Sequence, residues 1–166
     1  MPPVSQFYIF SEVPDDFFKT LSHGVMVIIK IVHAGDFIEF EGGFKAKLTG
    51  IKVPDKTTKI GYKAFKFAKN KLQGRKVKVF TYTKNNMASG IVYDEEGYPF
   101  VMIVYGRGKN SKKWKIVFNE LLLKKGYAEV NDNYLPDEFK YFHDIENKAR
   151  RRKLGIWKSD MKKGNK

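Results

Sequence analysis

Apolar and polar positions change period along this chain in an order that predicts an architecture. Val25-Met26-Val27-Ile28-Ile29-Lys30-Ile31-Val32 is a β-branched apolar run, and Phe37 to Phe40 resumes it after Gly35-Asp36. Gly42-Gly43 then marks a turn before a third run from Phe44 to Ile51, so the opening reads as a three-strand meander. From Thr58 to Gln73 the period lengthens. Ile60, Ala64, Phe67, Ala68 and Leu72 follow helical spacing, and Gly74 stands where a helix stops. Val77, Val79 and Phe80 begin a fourth strand, and Ser89-Gly90-Ile91-Val92-Tyr93 a fifth, closed by the turn-prone Asp94-Glu95-Glu96-Gly97.

Phe118 to Lys125 predicts a short helix ended by Gly126. Leu135, Phe139, Phe142, Ile145 and Ala149 form the apolar stripe of a last helix, with Pro136 near its start and Gly155 after its end. Three strands, a helix, two strands and further helices is the order of an α+β fold, a five-stranded OB-type β-barrel with about three helices.

Composition narrows this picture. A chain of 166 residues is the size of one domain with one sizeable core, and no second globular unit is expected. With no cysteine there is no disulfide framework and no thiolate metal site, which fits a reducing compartment; 14 Phe, 9 Tyr and 2 Trp supply apolar mass. No apolar run approaches the roughly 20 residues that span a bilayer. Glu12, Asp15 and Asp16 precede any basic residue, unlike a secretory leader. The expectation is a soluble intracellular protein, cytoplasmic, nuclear or organellar. Residues 1–24 crowd Phe7, Tyr8, Ile9, Phe10, Phe17 and Phe18 together, an aromatic arm that packs on this domain or anchors a partner protein.

Charge adds direction. The excess behind the net charge of +14 sits in three blocks, with residues 44–84 carrying +12, residues 105–115 carrying +5 and residues 148–166 carrying +8, while the segments between and before them are acidic and carry −11. Clustered lysine and arginine replace condensed counterions on a phosphate backbone, so a nucleic-acid partner is expected. A lysine-rich solvated surface is the plainer alternative. Acidic lipid is disfavoured because the basic residues do not form one amphipathic helix. His23, His33 and His143 are isolated in sequence and read as surface or packing residues, with His33 alone near the segment considered next.

Lys47-Leu48-Thr49-Gly50-Ile51-Lys52-Val53-Pro54-Asp55 resembles the Arg-Leu-x-Gly-Ile-Asp-x-Pro-Glu segment of the staphylococcal-nuclease-like (thermonuclease) family. Further motifs follow in order. Gly35-Asp36 is similar to the Gly-Asp of that family's first turn, and Gly61 to Ala68 to its Gly-x-x-Ala-x-x-Phe helix. Asn119 to Ala128 is similar to its Asn-x-x-Leu-Val-x-x-Gly-x-Ala helix, and Glu146 to Trp157 to its closing Gly-Ile-Trp stretch. The resemblance covers about residues 25–158, leaving the arm before it and a basic tail, 159–166, after it.

For an active member the resemblance implies calcium held by two aspartates, a glutamate that assists attack by water, and two arginines on the scissile phosphate. Carried over by position, Asp36 matches the first metal aspartate, but Lys52 stands at the second and Lys47 at the first arginine. Asp55 matches the glutamate with one methylene fewer. An ammonium cannot ligate calcium, and lysine lacks the bidentate fork that fits phosphate. Two registers compete for the second arginine. One places Ser89 there and makes residues 98–115 an inserted hairpin; the other aligns Tyr105-Gly106-Arg107-Gly108 and offers Arg107.

These substitutions point to a nucleic-acid-binding module, for single-stranded RNA or DNA, without an intact nuclease site. Candidate contacts are Lys45, Lys47, Lys52 and Lys56, with Tyr82 and Tyr105 as stacking surfaces. Arg107, Lys109, Lys112, Lys113 and Trp114 form a second patch in the proposed hairpin. Arg150, Arg151 and Arg152 form a third, or else serve the helix dipole. No cofactor is expected, calcium entering only if an altered nuclease survives, with Asp36 as its ligand. A structural subunit of a larger protein or ribonucleoprotein complex is the remaining alternative.

Overall fold

The computed structural model describes residues 24–84, 90–106 and 116–158, and the first three apolar runs are strands in it: β1 (Val25–Ala34), β2 (Phe37–Phe40) and β3 (Lys45–Leu48). The aromatic arm up to residue 23 and the tail from 159 onward lie outside the described residues. β1 turns the corner of a barrel. Its first residues, Val25 to Ile28, pair antiparallel with β5 (Lys76–Thr81), and its remainder pairs antiparallel with β2. Register shifts between Ile29 and Ile31 and between Val32 and Ala34 let one strand serve both neighbours, since an extra residue bends and twists a strand locally.

β2 pairs with β3, and β5 pairs with β6 (Phe100–Tyr105). β3 and β6 then meet in parallel, Lys47 opposite Phe100 and Leu48 opposite Val101, which closes a five-stranded barrel of OB type with three helices. Outside the barrel, β4 (Ile51–Lys52) pairs with β8 (Glu129–Val130), and β7 (Ile116–Val117) extends the far end of β6. Ile29, Ile38, Phe40, Leu48, Met102 and Phe118 are fully buried. Each such side chain contributes on the order of 1.5–3 kcal/mol through removal from water.

The fifth barrel strand differs from the expectation. Ile91 and Tyr93 make only isolated bridges, to Thr83 and Pro99, while every residue of β6 is buried. Phe100–Tyr105 is therefore not part of an insertion hung outside the barrel, since it closes the barrel; residues 107–115 lie outside the described residues. The physical reason is burial: Phe-Val-Met-Ile-Val-Tyr is apolar on both faces, as a strand covered on both sides requires, whereas Tyr93 is 52% exposed.

α1 (Lys59–Leu72) matches the helical period. Thr58 caps it by accepting from Gly61 N at 3.0 Å, and Gln73 Oε1 accepts from Val32 N at 3.1 Å, tying its far end to β1. α2 (Phe118–Lys124) also falls where expected. The last helix is shorter than its apolar stripe: α3 spans Phe142–Arg151, and the chain before it forms 3-10 turns at Asp132–Tyr134 and Asp137–Phe139. Pro136 holds Leu135 extended, so Leu135 and Phe139 reach the core from turns rather than from one helix. Among the described residues no helix is long and apolar enough to cross a membrane.

Candidate functional site

Asp36 follows the tight Gly35 at the β1–β2 turn, where a Cβ on Gly35 would meet Val53 Cγ1 at 2.8 Å. The Asp36 carbonyl accepts from Leu48 N at 3.0 Å, so the turn is fixed to β3. After β3, Thr49 N donates to Val101 O at 2.8 Å and Gly50 adopts φ +77, a conformation that favours glycine. Asn119 of α2 locks this corner. Its Oδ1 accepts from Ile103 N at 3.1 Å, and its Nδ2 donates to Thr49 O at 3.0 Å and Val101 O at 3.1 Å. Thr49 Oγ1 donates to Tyr134 O, bringing the 3-10 turn over the same corner.

The result is an open cavity of about 520 Å³ whose lining includes Asp36, Lys47, Lys52, Asp94, Glu96 and Tyr134. Three of the expected site residues, Asp36, Lys47 and Lys52, thus share one cavity. Phe100 and Tyr134 stack on its wall, ring centroids 3.9 Å apart. Burial pushes the Asp36 carboxyl above the usual range, although the backbone N–H of Val53 works against the shift.

An acidic turn dominates the electrostatics. Lys47 Nζ lies 2.6 Å from Asp94 Oδ2 and 3.5 Å from Glu96 Oε1, with Asp94 only 7% exposed. Asp94 Oδ1 accepts from Glu96 N at 2.9 Å and Tyr98 N at 2.8 Å, so the turn is rigid around its own carboxylate. Burial disfavours both charges of the pair. Asp94 and Glu96 nevertheless hold the Lys47 ammonium above its usual pKa, and Lys47 with the two N–H donors holds Asp94 below its own. In sequence, Asp94 to Gly97 reads only as a turn. Its three carboxylates between basic blocks were the available signal, but nothing in their spacing shows that the turn folds over Lys47.

Other expected residues stand apart. Asp55 is exposed and outside the cavity lining. Its carboxylate accepts from Thr57 N and Thr57 Oγ1, both at 2.8 Å, and these bonds lower its pKa. Lys56 Nζ donates to His33 O at 2.7 Å and sits 4.5 Å from the Phe65 ring centre. Lys45 is half-buried on β3, opposite Glu39. Tyr82 is half-buried, and burial, aided by Asp137 and Glu138, raises its hydroxyl pKa. Tyr105 is buried beneath the Arg75 guanidinium, 4.5 Å from its ring centre, and presents no stacking face.

Arg150 lies 3.5 Å from Glu146 and 4.3 Å from the Trp157 ring centre, while Arg151 and Arg152 are exposed. Ser89, Arg107, Lys109, Lys112, Lys113 and Trp114 lie outside the described residues. The residues that lead into the closing strand are Tyr98 and Pro99.

No curated protein matches the chain. The family model described as staphylococcal nuclease homologue matches residues 45–159, from β3 with Lys47 through the Gly155–Trp157 turn. Matched over more than half its length, and closed into the barrel with three helices, the chain belongs to the staphylococcal nuclease homologue family.

Proposed function

We propose that this nuclease-family module binds single-stranded nucleic acid without cleaving it. One observation carries the binding half. α1 holds five lysines, Lys59, Lys63, Lys66, Lys69 and Lys71, all exposed, and no acidic residue. Like charges at such spacing cost a few tenths of a kcal/mol per pair on an isolated helix, and a phosphate backbone relieves that repulsion while releasing counterions.

The non-cleaving half rests on the cavity's donor set. Calcium takes about six to eight oxygen ligands, several of them carboxylates. Asp36 is one carboxylate whose charged form burial disfavours, Lys52 brings an ammonium to the same cavity, and Asp94 and Glu96 are engaged by Lys47. Glu95 also lines the cavity, but no three acidic or histidine side chains among the described residues are grouped so as to hold a metal ion. This set does not fit a hard divalent cation, and Lys47 is not free to receive a phosphate. Asp55, tied to Thr57, lies outside the cavity.

Fluorescence anisotropy with labelled single-stranded RNA and DNA across a salt series tests the reading. Binding that weakens linearly in log salt is expected; no binding at low salt, or binding indifferent to salt, overturns it. Product formed with calcium, magnesium or manganese, and absent with chelator, would overturn the non-cleaving half.

A further inference from the structure

A second cavity, of about 570 Å³, lies away from the family position. Three elements build it: the N-terminal turn of α1 (Thr58, Lys59, Ile60, Lys63), the segment after α2 (Lys125, Tyr127) and the closing turn (Leu154, Gly155, Lys158). What joins them is a backbone crossing. Ile156 N donates to Gly126 O at 2.8 Å, a Cβ on Gly155 would sit 2.0 Å from that oxygen, and one on Gly126 would sit 2.3 Å from Leu154 O. With φ +77 at Gly126 and +52 at Gly155, both positions favour glycine on two counts. The crossing places Lys125 and Lys158, distant in sequence, on the cavity that Lys59 and Lys63 enter from α1.

The charges here are one-sided. Four lysines and no carboxylate line the cavity among the described residues, and no described carboxylate forms an ion pair with any of the four. Lys59 occupies the first position of α1, where the macrodipole is positive and a carboxylate is the favourable choice. No acidic residue stands in that first turn. A fold that gathers four ammonium groups at the positive end of a helix, against local preference, has the marks of a site completed by an anion. The floor is apolar: Ile60 and Leu154 pack on the small cluster of Ala149, Ile156 and Trp157, and Tyr127 is braced by Phe67 at 5.2 Å between ring centres.

We propose that this cavity, rather than the family position, seats a nucleotide of the bound strand. Its phosphate lies among Lys59, Lys63, Lys125 and Lys158, and its base lies against Ile60, Leu154 and Tyr127. The volume is within the range of about 300–1,000 Å³ usual for small-molecule sites. This deepens the proposed function and rests on it; what is new is the position of the seat and the chemistry of its occupant, a nucleobase bearing a phosphate.

The test compares charge reversals of equal size. Lys59→Glu/Lys63→Glu changes the cavity; Lys69→Glu/Lys71→Glu changes the opposite end of the same helix by the same charge; Lys125→Glu reaches the cavity from another element and guards against a defect in α1. All five positions are exposed, and thermal melts check that each variant folds. Single-strand affinity at fixed salt is expected to fall by at least about 30-fold for the first pair and about 5-fold for Lys125→Glu, against less than about 5-fold for the control pair. The salt slope is expected to drop by roughly 1.4 for the first pair, at about 0.7 per phosphate contact. A nucleoside monophosphate is expected to shift the NMR signals of Ile60 and Tyr127 in the wild type. Equal losses for the two pairs, or shifts at Phe100 and Tyr134 instead, overturn the seat while leaving the binding reading intact. A wild type that binds no strand overturns that reading itself.

Discussion

The two cavities are nearly equal in volume, about 520 and 570 Å³, and opposite in the way they handle charge. At the family position two lysines share the cavity with Asp36, Asp94, Glu95 and Glu96, and Lys47 is paired with Asp94 and Glu96. At the end of α1 four lysines meet no carboxylate among the described residues. The motif that names the family therefore marks the cavity whose Lys47 is already paired within the molecule, and the lysines without a described carboxylate partner lie where two glycines cross. Local sequence sets which charges exist; the fold sets which of them are answered.

The largest effect expected comes from breaking the wall of the lysine cavity. Gly155→Ala places a Cβ against Gly126 O at 2.0 Å with φ +52, and should cost about 3–5 kcal/mol in urea unfolding. A cost below about 1 kcal/mol would mean the crossing adapts and does not define the cavity. Asn119→Ala attacks the family cavity from behind. It strands Ile103 N–H, removes the Asn119 donor from Thr49 O and leaves Val101 O with only its bond from Thr49 N, and a loss of about 2–4 kcal/mol is expected by the same measurement.

A pH series sharpens the comparison by perturbing a carboxyl that lines neither cavity. Burial pushes Glu120 up to about 7, although the Tyr141 hydroxyl donates to it. Because the folded pKa lies above the unfolded one, the native state holds the extra proton between roughly pH 4.5 and 7, and stability falls as pH rises through that window. The loss is on the order of 2–3 kcal/mol, and Glu120→Gln should flatten it. An unchanged pH profile in that variant would assign the window to other groups.

The smallest effect expected is at the acidic turn. Asp94→Asn keeps the acceptor for Glu96 N and Tyr98 N but removes the charge facing Lys47, at a cost of about 1–2 kcal/mol. If the strand sits at α1, affinity should rise less than about threefold when Lys47 is freed. A rise above about tenfold would invert the comparison and make the turn a plug over the true seat.

Much of the fold was legible because burial imposes period. Ile60, Ala64, Ala68 and Leu72 place α1 within two residues, and Gly126 and Gly155 were visible as stops. The fifth strand was misplaced because Ile91-Val92-Tyr93 and Phe100 to Tyr105 both look like strands, and only closure against β3 chooses between them. Asp36, from the Gly-Asp turn, and Lys47 and Lys52, from the following segment, are legible from the family resemblance, and they share a cavity. Tyr105 offers an aromatic face in sequence, but Arg75 and the core cover it.

Periodicity along the chain marks most of the barrel strands, and the family motif and the basic blocks are equally local in sequence. Tertiary structure decided the pairing of those charges. Lys47 and Asp94 are 47 residues apart, and Gly126 and Gly155 are 29 apart. Coulomb energy depends on distance in space and on burial, neither of which is written in spacing along a chain. Closing the barrel brought an acidic turn onto one lysine site, and crossing two glycines left the other open.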